Sequence, residues 1–153
     1  DAGLVYKVPL CKEVKLPLKV YEDPTAFKLF TLDLGLLGAM VGTEAKQVLI
    51  KNDIFSEYKG GMTEQYVLEE MKSNGEENIF YHKSGDGTRL EIDFMIQRDG
   101  KLLPIEVKAE GNVRANSLSN LLKQTPELHA FRYSMKPYIE QEQMTCYPLY
   151  AIQ

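Results

Sequence analysis

In the second half of the chain, the spacing of apolar and polar residues predicts one helix followed by antiparallel strands. Thr63 to Lys72 contains no breaker, and Tyr66, Val67 and Met71, with Met62 ahead of them, form a stripe at helical spacing that Asn74-Gly75 ends. The period then shortens, giving three strands over Asn78 to Lys83, Arg89 to Gln97 and Leu102 to Ala109. Ser84-Gly85-Asp86-Gly87 and Arg98-Asp99-Gly100-Lys101 separate them, and each carries the Asp-Gly signal of a hairpin turn. Ser117 to Lys123 reads as a short helix closed by Pro126, with final strands over His129 to Met135 and Tyr147 to Ile152. The first sixty residues are less regular. A β-rich run, Leu4 to Val8, is expected to end at Pro9, and Leu18 to Tyr21 reads as extended between Pro17 and Pro24. Phe27 to Leu32 favours a strand, Asp33 fits the N-cap of a helix over Leu34 to Met40 that Gly42 stops, and Glu44 to Lys51 reads as another short helix. Helix, three antiparallel strands, helix and strand make an α/β arrangement with a mixed sheet.

Composition narrows the classes of function only slightly. The 153 residues are 44% hydrophobic and 26% charged, which suits one globular domain and excludes wholesale disorder. A formal charge of −4 argues against coating nucleic acid by blanket positive charge but permits a local basic groove. Lys7, Lys12, Lys15, Lys19 and Lys28 interleave with Glu13, Glu22 and Asp23, so they read as a solvated face. Arg114, Lys123 and Arg132 are better placed in chain order to meet a phosphate backbone. Cys11 and Cys146 form no metal-ligand spacing and read as reduced, partly buried thiols. His82 and His129 are isolated and read as ordinary sheet histidines. No secretory leader or membrane-length apolar run occurs, so a cytoplasmic location and no membrane partner are expected. The opening Asp1 suggests a piece of a longer protein.

One constellation suggests chemistry. In Arg89 to Ile96, strict alternation would put Leu90, Ile92, Phe94 and Ile96 on one face and Glu91 and Asp93 on the other. In Leu103 to Ala109, Ile105, Val107 and Ala109 alternate with Glu106 and Lys108. A tight turn at Asp99-Gly100 would set Asp93 beside Glu106, with Lys108 toward the same side. Two hard oxygen ligands suit Mg²⁺ or Mn²⁺, a lysine can orient a water or offset extra negative charge, and two close carboxylates raise each other's pKa. Glu64, at the expected start of the preceding helix, is placed to supply a third carboxylate. The plainer reading of Glu106-Val107-Lys108 is an exposed ion pair of little energetic consequence.

Glu64, Ile92-Asp93-Phe94 and Ile105-Glu106-Val107-Lys108 resemble the PD-(D/E)XK nuclease-like signature, with Asp93 as its aspartate and Glu106 and Lys108 as its second motif. Nearly the whole chain is similar to the domain of unknown function at the C-terminus of predicted bacterial and archaeal AAA-type ATPases. The matching stretches are Gly3 to Val8, Phe27 to Leu37, Tyr58 to Glu64, Glu91 to Phe94, Pro104 to Lys108 and Arg114 to Leu118. The sequence departs from that pattern at His82, where the family often has Trp, and lacks a Gln-x3-Tyr motif, since Leu128 follows Gln124. The resemblance implies a restriction-endonuclease-like α/β core, residues 60–153, with a mixed sheet flanked by helices. A small winged-helix-like N-terminal part, residues 1–59, would precede it, and an ATPase module would lie upstream. No Gly-x4-Gly-Lys-Ser/Thr loop occurs in the chain. It further implies Mg²⁺-dependent hydrolysis of DNA, with Glu64, Asp93 and Glu106 as metal ligands and Lys108 as a catalytic group. The alternative expectation is an inactive nuclease-fold module that binds nucleic acid or protein and regulates the ATPase.

Overall fold

A computed structural model describes residues 3–41, 52–85, 90–109 and 116–152. Eight strands form one mixed sheet: β1 (Val5–Cys11), β2 (Glu22–Thr31), β3 (Phe80–Lys83), β4 (Glu91–Arg98), β5 (Lys101–Lys108), β6 (Ala130–Ser134), β7 (Ile139–Gln141) and β8 (Met144–Pro148). Their order across the sheet is β2-β1-β3-β4-β5-β6-β8-β7. The described helices are α1 (Leu34–Val41), α2 (Asn52–Ser73) and α3 (Asn116–Gln124). The structure is therefore mixed α/β, as the change of period predicts. The N-terminal segment supplies β1, β2 and α1, and its two strands extend the same sheet. The helix expected over Glu44 to Lys51 and the stop at Gly42 lie outside the described residues, as does most of the turn at Asp86-Gly87.

Local chemistry explains several boundaries. Asp33 accepts a hydrogen bond from the Leu36 amide at 2.8 Å and so caps α1. At the end of α2, Gly75 takes φ +90°. Its amide reaches the Lys72 carbonyl at 3.1 Å, and the Glu76 amide reaches that of Met71 at 3.0 Å. These paired bonds close the helix by a Schellman turn, which a glycine in the left-handed region allows. Asp99 and Gly100 both have positive φ, 52° and 72°, and Arg98 pairs with Lys101. A two-residue turn of this hand matches strand twist and fixes the β4–β5 register.

Other boundaries differ from the expected ones. α2 begins at Asn52, well before Thr63, and runs through Gly60 and Gly61, so Glu64 lies within the helix rather than at its start. Leu18–Tyr21 is a 3-10 turn rather than an extended run, and β1 continues past Pro9 with a register irregularity between Pro9 and Leu10. The expected strand over Tyr147 to Ile152 is shifted: β8 stops at Pro148, and Leu149–Ala151 is another 3-10 turn. β7 has no apolar alternation to announce it; its three residues are exposed and held by pairing with β8.

The sheet carries a hydrophobic layer on each face. On one, Val67, Leu68 and Met71 of α2 pack with Val8, Tyr81, Phe94, Ile96, Ile105, Val107 and Tyr133. On the other, Leu118, Leu121 and Leu122 of α3 pack with Phe80, Ile92, Met95, Leu102 and Ala130. Gln65 is a polar exception in the first layer, with 1% of its surface exposed. Its amide accepts from the Thr31 amide at 3.1 Å and donates to the Thr31 carbonyl at 2.8 Å, tying α2 to the end of β2. Replacing Gln65 with Leu strands both backbone groups. We expect a stability loss of about 2–4 kcal/mol in urea unfolding, since each buried group left unpaired costs about 1–3 kcal/mol.

Candidate functional site

The site forms where the sheet opens. β4 and β5 pair from Arg98–Lys101 as far as Phe94–Ile105. Beyond that point β4 pairs outward with β3 (His82–Ile92, Lys83–Glu91), while β5 pairs outward with β6 (Glu106–Arg132 to Lys108–Ser134). The Asp93 carboxylate lies in this fork and accepts a hydrogen bond from the Val107 amide at 2.7 Å. A side chain thus satisfies a backbone donor that the divergence of the strands leaves without a ladder partner.

A β-bulge places Asp93 there. Phe80 faces Met95 but His82 faces Ile92, so Asp93 and Phe94 together stand opposite Tyr81. Strict alternation fails at this point. Leu90 and Ile92 pack on the α3 side, whereas Phe94 and Ile96 pack on the α2 side. The expectation that all four share one face is corrected by this extra residue.

Glu64 of α2 and Asp93 are brought together. Burial, and then the Glu64 charge, push the Asp93 carboxyl up to about 7, against the pull of the Val107 amide and of Lys108 and Lys28. Glu64 is likewise raised, first by burial, against the attraction of Lys28. Lys28 on β2 belongs to the same cluster: its ammonium lies 2.9 Å from Glu91 and 3.8 Å from Glu64. The inward-facing residues of β2 are Ala26, Lys28 and Phe30, while Phe27 and Leu29 face out. Lys28 is therefore not part of a solvated basic face. The sequence held a signal for this, since Lys28 shares the parity of Phe30, but two large apolar residues of the opposite parity obscured it.

Glu106 is buried, with 5% exposed, and is engaged elsewhere. Ile105 and Val107 face α2, so alternation sends Glu106 to the other face, where Arg132 is its cross-strand neighbour. Arg132 Nε donates to one carboxylate oxygen at 2.8 Å, and Lys108 Nζ lies 3.2 Å from the other. Arg132, expected to face a phosphate backbone, instead braces Glu106. Arg114 and the region of Glu110 lie outside the described residues.

This arrangement contains four carboxylates, Glu64, Glu91, Asp93 and Glu106, and three cations, Lys28, Lys108 and Arg132. Hard oxygen donors at Glu64 and Asp93, held close in a buried place at a cost to their ionised forms, fit a divalent cation that keeps part of its water shell. Glu106 does not join them: among the described residues no three His, Cys, Asp or Glu side chains form a group that could hold a metal. His82 and His129 are committed to structure, with ring nitrogens 2.9 Å from the Cys11 carbonyl and 2.8 Å from the Thr145 hydroxyl. Cys11 and Cys146 are free and buried. A cavity of about 610 Å³ lies at the opposite end of the β4–β5 hairpin, lined by Leu16, Tyr21, Leu102 and Leu128 among others. It is mainly apolar and contains none of the clustered carboxylates. No described helix is long and apolar enough to cross a membrane.

No curated protein and no solved structure matches the chain significantly. Residues 59–151, which include the whole of β3 to β8 and both motif strands, match the model of the domain of unknown function DUF4143, and the chain belongs to that family.

Proposed function

We propose that this domain carries a metal-dependent phosphodiester-hydrolysing site of the PD-(D/E)XK nuclease-like kind, acting on DNA as the C-terminal part of an AAA-type ATPase. The observation that supports the reading best is the fork: Asp93 sits between diverging strands, Glu64 faces it from α2, and Lys108 stands at the end of β5. Glu64 and Asp93 would hold Mg²⁺ or Mn²⁺, which supplies Lewis acidity and a bound water of lowered pKa. Lys108 carries a positive charge to the same edge and can offset charge that develops on a phosphate oxygen. In the metal-free domain, Asp93 holds a proton up to about pH 7, which relieves its repulsion with Glu64.

The test is cleavage of duplex and single-stranded DNA with Mg²⁺ or Mn²⁺. Lys108→Ala should lower the rate by about a hundredfold, the scale of losing one electrostatic stabiliser. The fold should survive, since Arg132 still pairs Glu106. Undiminished cleavage by this variant would refute the assignment. One observation favours a second reading, a nuclease-fold module that binds nucleic acid or protein without cleaving: Arg132 and Lys108 saturate Glu106 and keep it out of the carboxylate pair. Calorimetry separates the two readings. Saturable Mg²⁺ binding that is lost in Asp93→Asn supports the enzyme, and no binding at millimolar metal supports the module.

A further inference from the structure

Lys28 has no place in the motif that marks the fork, yet it is the cation nearest to Glu64 by ion-pair distance. It comes from β2, the outermost strand of the N-terminal segment, and reaches the fork across β1 and β3. Its ammonium is shared unequally, 2.9 Å from Glu91 and 3.8 Å from Glu64, and lies 5.1 Å from the centre of the Tyr81 ring. Three groups therefore hold one charge, and only one of them, Glu64, is paired with Asp93.

We propose that Lys28 is an internal counter-cation of the metal site: its ammonium balances Glu64 when no divalent ion is bound, and metal entry shifts it from Glu64 onto Glu91 and the Tyr81 ring. This rests on the reading of Glu64 and Asp93 as the metal-holding pair. Charge balance supports it. With Asp93 ionised, the cluster has one more carboxylate than it has cations among the described residues, so it carries a single excess negative charge. A dication reverses that excess wherever Lys28 sits, and movement of the ammonium from Glu64 toward Glu91 increases the separation of the two like charges. The geometry makes the shift short, because the shorter contact already goes to Glu91 and the aromatic face offers a second cation partner. Lys28 also links the N-terminal strands to the fork, so metal occupancy would be felt by the segment that precedes residues 59–151.

The test is Mg²⁺ binding to the full chain by calorimetry, together with the shift in melting temperature that Mg²⁺ causes. Lys28→Met keeps the apolar stem and removes the competing charge, and should tighten Mg²⁺ binding roughly tenfold and enlarge the thermal shift. Lys28→Arg should bind as the parent does. Glu91→Gln removes the alternative partner, confines Lys28 to Glu64 and should weaken binding severalfold. The double variant Lys28→Met/Glu91→Gln identifies the exchange: the loss caused by Glu91→Gln should vanish once Lys28 is gone, whereas a loss that persists is the long-range effect of charge alone and overturns the proposal; Lys28→Gln takes the place of Lys28→Met in this cycle if the methionine variant does not fold. Equal or weaker binding in a folded Lys28→Met, or unchanged binding in Glu91→Gln, overturns the proposal while the metal reading stands. Absence of Mg²⁺ binding in the parent and in every variant overturns both.

Discussion

Asp93→Asn is expected to stabilise the metal-free domain by about 3 kcal/mol at pH 8 and to have almost no effect at pH 4. The Asp93 carboxyl is pushed up to about 7 in the fold, against about 3.9 in an unfolded chain. Between those values the folded state binds more protons than the unfolded one, so stability falls as pH rises from about 4 to about 7 and then levels off. The full cost of ionising the group in place is about 4 kcal/mol. Asparagine avoids that cost. It retains an oxygen to accept from Val107, although as a neutral acceptor it makes the weaker bond, and hence the smaller figure. Urea unfolding of both proteins across this pH range measures the difference. A stability gap that does not depend on pH would show that Asp93 is not the group whose ionisation the fork resists. Millimolar Mg²⁺ should restore the parent at pH 8 and leave the variant unchanged, since the dication offsets the Asp93 and Glu64 charges together. A site that stabilises the protein when mutated to neutrality and loses its ligand in the same step is organised for binding rather than for folding.

Arg132→Met should cost about 3 kcal/mol, the second large effect. Glu106 is buried, and its two oxygens are divided between Arg132 at 2.8 Å and Lys108 at 3.2 Å. Removing one partner leaves a buried carboxylate half-compensated, and breaking a buried pair typically costs about 3–5 kcal/mol. The remaining Lys108 contact places the expectation at the lower end. Replacing Glu106 with Gln as well should recover about half of the loss, because the uncompensated charge is removed with its partner. A double-mutant cycle by urea unfolding gives the coupling directly. A loss below about 0.5 kcal/mol would mean that the pair is solvent-screened and that Glu106 is free to turn toward Asp93.

The features legible in the sequence are those governed by a few neighbouring residues. Asp33 as a cap, Gly75 as a helix stop, the Asp99-Gly100 turn and the alternation of Ile105, Glu106, Val107 and Lys108 all depend on local backbone preference or on period. From these alone the chain determined an α/β arrangement with Asp93 and Glu106 on neighbouring strands. Where Asp93 points was decided by tertiary structure, because it depends on the bulge opposite Tyr81 and on β4 and β5 parting beyond Phe94–Ile105, neither of which is set by the residues next to it in the chain. The same holds for the cations. Lys28 reads as one more surface lysine and Arg132 as a candidate phosphate contact until β2 and β6 take their places in the sheet. Only then does Lys28 face Glu64 and Glu91, and Arg132 face Glu106. Hydrophobic period specifies which residues leave the water, but the partner of a buried charge depends on strand order, which short-range pattern does not encode.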